Sequence, residues 1–560
     1  MNLFDRILEA RGITPENRAD FLMPAYEAGH DPFLLPDMQA AVDRLVEARK
    51  NQEHVTIYGD YDIDGLTATT VLLDALGQFG FKHVEAFIPN RFVEGYGMTI
   101  DAVERIAATG ATLIITVDCG SLSHAEITRA KELGVDVIVT DHHNVALEQP
   151  PAIAVINPKR LLQDHPDSYE NYILKHETPE LYPFLDLPGV GVAFKLVQAL
   201  QTKLNGLEKG QEKWLLDLVA LGTVCDVVTL VDENRTHVFW GLKVLSKTRR
   251  PGLKALMAVA GVRPETVNAR SLGFALGPRM NAAGRLETAQ YALDMLTATD
   301  PIEALRYARQ LDELNQARRT EQAEILKQAV IQAETFADDP VLVVASEGWN
   351  HGVVGIVAAK LLEKYKKPTF VLAIDGDIAK GSARSYGDFS AADAIRSADG
   401  IITKGGGHKL AAGVTLPAAN IEKFRKTVND FYVQQKLRNQ AALLLPIADS
   451  DARLSEATEE LVAAIATLEP FGSGNPQPIV RTENITVMGV RRMGDAGQHV
   501  KLTLKDDTNI CIDVISFNAP DYFFVEQGVR VTVWYSPELN EWQGRRSVEG
   551  QLLHLEVIEE

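Results

Sequence analysis

Cysteine is scarce in this chain. Cys119, Cys225 and Cys511 are the only three among 560 residues, too few and too scattered for a disulfide framework or a CxxC zinc site. A reducing compartment fits that usage, and small residues packing buried loops account for the two that lie beside acidic motifs. Long apolar runs are missing as well. No segment approaches the roughly 20 apolar residues that span a bilayer, and the N-terminus, MNLFDRILEARG, mixes acidic and basic residues where a leader would carry an apolar core. A membrane role is therefore not expected, and a cytoplasmic location is.

An excess of positive charge is also absent. Asp and Glu number 76 against 56 Lys and Arg, a net charge of −20 and a pI near 5.2. This balance argues against a nucleic-acid partner, because non-specific affinity comes largely from Lys and Arg neutralising phosphates. Charge averaged over a chain says little about a groove, however. A carboxylate cluster that holds divalent cations adds to the negative count yet becomes locally positive once loaded. What is present is 46% apolar content over a length that suggests three or four domains.

Residues 55–160 read as an α/β unit with a parallel sheet covered on both faces: VTIY (55–58), a helix over 67–79, LIITV (113–117), the helical SHAEITRAKELG, VDVIVT (135–140) and AIAVI (152–156). Residues 161–187 are polar and weakly periodic, an insertion or long surface loop. Helical pattern resumes at GVAFKLVQALQTKL, and 300–336 runs without Gly or Pro after Pro301, as a long connector between two lobes would. A second α/β unit follows, with PVLVVAS (340–346), a helix over 353–365, TFVLAI (369–374) and the glycine-rich GGGH at 405–408. After LEPFGSGNPQP (468–478), short alternating strands point to a small β-barrel of OB type.

The chemistry sits at strand ends. GDYDIDG (59–65) places Asp60, Asp62 and Asp64 where open α/β sheets bind ligands, and an oxygen-rich cluster there suits hard cations such as Mg²⁺ or Mn²⁺. An acidic loop that merely caps the helix would read the same way. TVDCG (116–120) and TDHHN (140–144) each deliver a carboxylate or imidazole after a further strand; one such Asp alone is more often a cap, but three converge on one edge. In LGTVCDVVTL (221–230), apolar neighbours would bury Asp226, which then needs either a metal or an arginine partner.

These four motifs in this order resemble those of the DHH phosphoesterases. GPRMNAAGRL (277–286), LNQARR (314–319), HGVVGIVAAKL (351–361), GSARS (381–385), GGGHKLAAG (405–413) and PFGSGNPQP (470–478) resemble the RecJ exonuclease family in particular, over nearly the whole chain. The chain departs from the family pattern at Tyr58, where His is usual, at Thr229, where Pro is common, and in the length of 161–187.

The resemblance implies two divalent cations, Mn²⁺ or Mg²⁺, held by Asp62, Asp64, Asp118, His142 and Asp226, with Asp60 as a further ligand or a neighbour of the ligands. Asp64 and Asp118 count among the catalytic residues, and His143 is expected to face the substrate phosphate as an electrostatic stabiliser or proton donor; packing within its own loop is the competing role. Arg279, Asn281, Ser382 and Arg384 are the phosphate-recognition candidates, because arginine's planar fork matches phosphate oxygens. Arg91 is implied to hold a terminal 5′ phosphate, and His408 to contact nucleic acid. The C-terminal module interleaves Arg481, Arg491, Arg492, Lys501, Lys505, Arg545 and Arg546 with Phe517, Trp534, Tyr535 and Trp542, as single-strand binding requires, although several of those rings must fill the barrel.

The implied architecture is an N-terminal segment (1–50), a parallel-sheet DHH domain (51–299), a connecting helix (300–337), a smaller α/β DHHA1 domain (338–435), a helical linker (436–469) and an OB-type barrel (470–560). The implied activity is stepwise removal of 5′-mononucleotides from single-stranded DNA in recombination and repair, with duplex excluded by a narrow passage between the lobes. A helicase or single-strand-binding protein would be its partner, and a monomer is the default. The rivals are a phosphoesterase of small substrates, which would need no OB module, and a non-catalytic DNA-binding scaffold, which would lack ligands.

Overall fold

Val55, Ile57, Leu113 to Val117 and Val137 to Val139 are wholly or almost wholly buried, and these β-branched runs become the centre of a five-stranded sheet. The computed structural model describes residues 1–95, 97–166, 169, 181–437, 441–542 and 544–558. The strands are β1 (His54–Gly59), β2 (His83–Phe87), β3 (Leu113–Val117), β4 (Asp136–Thr140) and β5 (Ala154–Ile156), in the order β2-β1-β3-β4-β5 and all parallel. The chain leaves β1 in one direction to make β2 and returns to β1's other side for β3. That reversal opens a crevice outside the carboxyl ends of β1 and β3. β2 is a strand the sequence pattern did not single out; its five residues are partly exposed at the sheet edge, which blurs the apolar signal.

The helices Ile63–Gln78, Gly189–Leu200 and Leu216–Cys225 are buried almost all round and pack on one another beside that crevice. The end of the 161–187 segment is no surface loop. Tyr182 and Leu187 are fully buried, and Asp186 accepts from the backbone and hydroxyl of Thr229. Much of the rest of that segment lies outside the described residues.

The chain forms two compact units. The first comprises 1–284, 288–311 and 446–560, the second 285–287 and 312–445. A helix of 35 residues, Pro301–Thr335, roughly 50 Å long, belongs to both. In the second unit, β6 (Leu342–Glu347), β7 (Thr369–Asp375), β8 (Ile378–Arg384), β9 (Lys404–Gly407) and β10 (Ala411–Pro417) form a mixed sheet, β6-β7-β8-β10-β9. GGGH is therefore mostly an edge strand and not a turn: Gly405 to Gly407 pair with Ala412 to Val414.

In the first unit, β11 (Ser450–Asp451), β12 (Val480–Met493), β13 (His499–Lys505), β14 (Cys511–Ser516), β15 (Arg530–Trp542) and β16 (Arg545–Val557) make the third sheet. β12 also pairs with β15, which closes β12 to β16 into a five-stranded barrel. Two corrections follow. β11 joins this sheet from within the stretch expected to be a helical linker, which among its described residues holds one α-helix, Glu459–Ala466; a two-residue strand is too short to show alternation. The N-terminal segment is also divided: Leu3, Ile7 and Leu8 pack into the barrel core, while the Met38–Asn51 helix lies on the parallel-sheet domain. Among the described residues no helix is long and apolar enough to cross a membrane.

Candidate metal centre

Three successive strand ends supply the site. Asp60 follows β1, Asp118 follows β3, and Asp141 to His143 follow β4. Asp62 caps the Ile63–Gln78 helix, its Oδ1 accepting from the N–H groups of Asp64 and Gly65 at 3.0 and 3.2 Å. The capping role and membership of an acidic cluster thus coexist in one residue. Asp64, in the first turn, accepts from the N–H groups of Gly189 and Val190 at 2.5 and 2.8 Å, at the start of a second helix. Gly189 is required there, because a methyl at that position would stand 2.6 Å from Cβ of Asp118. Asp118 itself holds φ at +60°, a left-handed conformation rare outside glycine and frequent at functional sites.

His142 joins the strands to the helices. Its Nε2 lies 3.1 Å from Asp118, 3.6 Å from Asp226 and 3.8 Å from Asp64, and the ring is also hydrogen-bonded to the backbone of Leu187. Asp226, at the C-terminus of the Leu216–Cys225 helix, is less buried than its apolar neighbours suggest, at 21% side-chain exposure. The next residue, Val227, is turned outward with φ at +64°, a strained conformation for a β-branched side chain. Among the described residues Asp226 faces His142, and no arginine pairs with it.

Ligand atoms converge in three overlapping groups, Asp60–Asp62–Asp118, Asp64–His142–Asp226 and Asp118–His142–His143, each within 4.8 Å. Asp60 Oδ1, Asp118 Oδ1, His142 Nε2 and Asp226 Oδ2 are buried without a hydrogen-bond partner. Leaving such atoms unpaired is costly unless a cation takes them, so the donor set fits two hard divalent cations. Burial first, and then mutual repulsion, push the carboxyls of Asp60, Asp64, Asp118 and Asp226 well above the usual range. His142 is held down to about 3 by burial and by the neighbouring His143, so it is a neutral imidazole able to bind metal.

His143 makes the hydrogen bond within its own loop that was the alternative to a substrate role. Its Nδ1 is 2.9 Å from Asp141 Oδ1 and 3.7 Å from Asp118 Oδ1. Burial would lower its pKa, but the hydrogen bond and charge of Asp141, with Asp60 and Asp62, raise it above the ordinary imidazole range. Asp141, which the sequence reading passed over, accepts from the N–H groups of Ser121, His142 and His143 and is held low despite its burial. It orients the histidines and stands outside all three ligand groups.

Arg91 reaches this crevice by lying over the Tyr61 ring, 4.3 Å from its centre. Arg279 and Asn281 lie on the Gly277–Leu286 helix, which abuts the acidic loop: a methyl at Gly284 would be 3.2 Å from the Tyr61 carbonyl. Ser382, Arg384 and His408 belong to the second unit. Ser382 and Arg384, on β8, both approach Gly355 near the start of the Val354–Tyr365 helix, and burial lowers Arg384. His408 follows β9, and its N–H donates to Ala411.

On the barrel, Tyr535 is core, Trp534 is half-buried beside His554, and Phe517 is exposed. Lys501 pairs with Asp513 and Glu549, Arg481 with Asp451 and Glu483, and Arg546 with Glu541. Arg492 covers the Phe524 ring. Arg491, Lys505 and Arg545 make no ion pair among the described residues. The Trp542 side chain lies outside them.

The chain matches the DHH family, N-terminal domain, over residues 54–223, the DHHA1 domain over 338–434 and the RecJ OB domain over 448–554. It is 37% identical to the single-stranded-DNA-specific exonuclease RecJ of Bacillus subtilis over 97% of its own length and 65% of that protein's, just under two thirds. It is 36% identical to the protein of the same name from Dickeya dadantii, over 93% of this chain and 91% of that one. The crystal structure of RecJ from Thermus thermophilus with Mn²⁺ superposes with a TM-score of 0.81 at 30% identity, covering 100% of this chain and 76% of that one. The same protein with Mg²⁺ gives 0.75 at 28% identity, covering 100% and 75%.

Proposed function

Because the chain belongs to the RecJ family of exonucleases, we propose that it is a metal-dependent nuclease that removes nucleotides stepwise from the 5′ end of single-stranded DNA. It releases 5′-mononucleotides and serves recombination and repair, in the cytoplasm and alongside a helicase or single-strand-binding protein. The observation that carries this reading is the convergence of partnerless buried oxygens and one imidazole nitrogen at the reversal point of the parallel sheet.

Asp62, Asp64, Asp118, His142 and Asp226, with Asp60 beside them, are the residues that would hold two Mn²⁺ or Mg²⁺ ions. Such a pair supplies an activated water and offsets the charge that builds on the phosphate and its leaving oxygen. The chain's own groups bind and orient. Asp141 fixes His143 and favours its protonated form, so its ring can donate to a phosphate oxygen or protonate the departing oxygen. Arg91, steadied by Tyr61, takes the terminal 5′ phosphate. Arg279 and Asn281 take the next part of the backbone, and Ser382, Arg384 and His408 are candidate nucleic-acid contacts on the second unit, considered by itself. Residues 51–299 act as the catalytic domain, 338–435 as the second α/β domain and the barrel as a strand-binding module.

Strands labelled at either end test the proposal. With Mn²⁺, a 5′ label is expected to leave as a mononucleotide at the earliest times while a 3′-labelled strand shortens stepwise; EDTA and Asp118→Ala abolish both. Binding without cutting would favour a scaffold, and neither binding nor cutting a phosphoesterase of small substrates.

A further inference from the structure

From Asn234 to Pro264 the chain carries seven Lys or Arg and no Asp or Glu, although acidic residues make up 76 of its 560. Two of these cations are committed internally. Arg235 is buried and donates to the carbonyls of Phe21 and Glu469, and Arg250 pairs with Asp74 and Asp217. Lys243, Lys247, Arg249 and Lys254 are exposed and form no ion pair among the described residues.

They stand among aromatic rings. Lys243 Nζ lies 3.9 Å from the ring centre of Phe239 and 4.4 Å from that of Trp240, and the Arg249 guanidinium lies 3.9 Å from Trp214. Phe239, Lys243 and Lys247 are spaced by four, on one face of the Asp232–Leu245 helix and the turn after it. The Gln211–Leu215 turn that bears Trp214 packs on the same helix. All three rings are half-buried. Lys243 is about three helical turns, roughly 16 Å, from the helix start just downstream of Asp226, so this surface is separate from the metal ligands.

We propose that this face is an accessory binding surface for single-stranded nucleic acid. It rests on the nuclease reading above. The cations would neutralise backbone phosphates, and the rings would offer stacking faces to unpaired bases, which a duplex keeps covered. In a chain of net charge −20, a patch of unpaired cations favours a polyanion specifically where the rest of the surface repels it.

The test uses the full chain with the substitutions Lys243→Glu, Lys247→Glu and Arg249→Glu combined, and a second variant with Gln at the same positions. Binding of a long oligothymidylate in EDTA is measured against salt, with thermal melting as the check on folding. Three lost phosphate contacts should flatten the log–log salt slope by about 2. Affinity at low salt should fall at least tenfold in the Glu variant and less in the Gln variant, while a blunt duplex is little affected. Variants that fold and bind the strand with the wild-type slope overturn the proposal, as does an equal loss on the duplex. A wild type that cuts while the variants bind as it does sinks this surface alone. A wild type that neither cuts nor binds sinks the nuclease reading with it.

Discussion

Arg91 keeps its guanidinium over Tyr61 while its Nε is buried without a hydrogen-bond partner, so the ring is what fixes the cation beside the acidic loop. A desolvated cation–π contact is worth about 2 kcal/mol. Tyr61→Leu is therefore expected to raise KM for a 5′-phosphorylated strand at least tenfold, with a much smaller change in kcat, and to narrow the preference over a 5′-hydroxyl strand. Steady-state kinetics on the two strands checks this, and an equal loss on both would show that Arg91 does not read the terminal phosphate. The acidic ligand candidates and His142 were legible because each follows a β-branched run or an apolar helix. Tyr61 and Asp141 were not, because their roles depend on contacts with Arg91 and with three backbone N–H groups that only the fold brings near.

Among the helices behind the site, Lys195 is 1% exposed and donates to Glu233 Oε1 at 2.8 Å and to the carbonyl of His30 at 2.5 Å, while Tyr182 donates to the same carboxylate. This buried pair ties the N-terminal segment to the Gly189–Leu200 and Asp232–Leu245 helices. Lys195→Met leaves Glu233 uncompensated and should cost about 3–5 kcal/mol, with part of the loss recovered by adding Glu233→Leu; urea unfolding of the single and double variants measures it. Beside them His237, buried against Phe194, is held at about 4 by burial, below its ordinary 6.5. A depressed histidine binds its proton more readily unfolded. Its stabilisation is thus complete above about 6.5 and is lost as pH falls toward about 4. His237→Phe should flatten the acid limb of the melting-temperature profile across that window, and an unchanged limb would rule the residue out. The long periodic elements could be read from sequence, whereas β2, β9 and β11 could not, since edge position, glycine content or two-residue length removes the alternation on which such readings depend.

At the scale of the whole chain, a parallel-sheet domain supplies every residue of the metal cluster, and a closed barrel shares its core with the first helix of the chain. The order of motifs revealed this division because each is tied to one strand or helix end. The packing of residues 3–8 into the barrel was hidden, as nothing local in an amphipathic helix names its partner. On this reading the cluster binds two divalent cations, and these drive strand cleavage. Mn²⁺ titration followed by the electron paramagnetic resonance of the free ion, with cleavage assayed on the same samples, tests it most directly. Two Mn²⁺ per chain are expected for the wild type, with activity rising as they bind, and both binding and cleavage should collapse in Asp118→Asn. Cleavage that persists in EDTA, or Mn²⁺ binding untouched by the substitution, would contradict the claim.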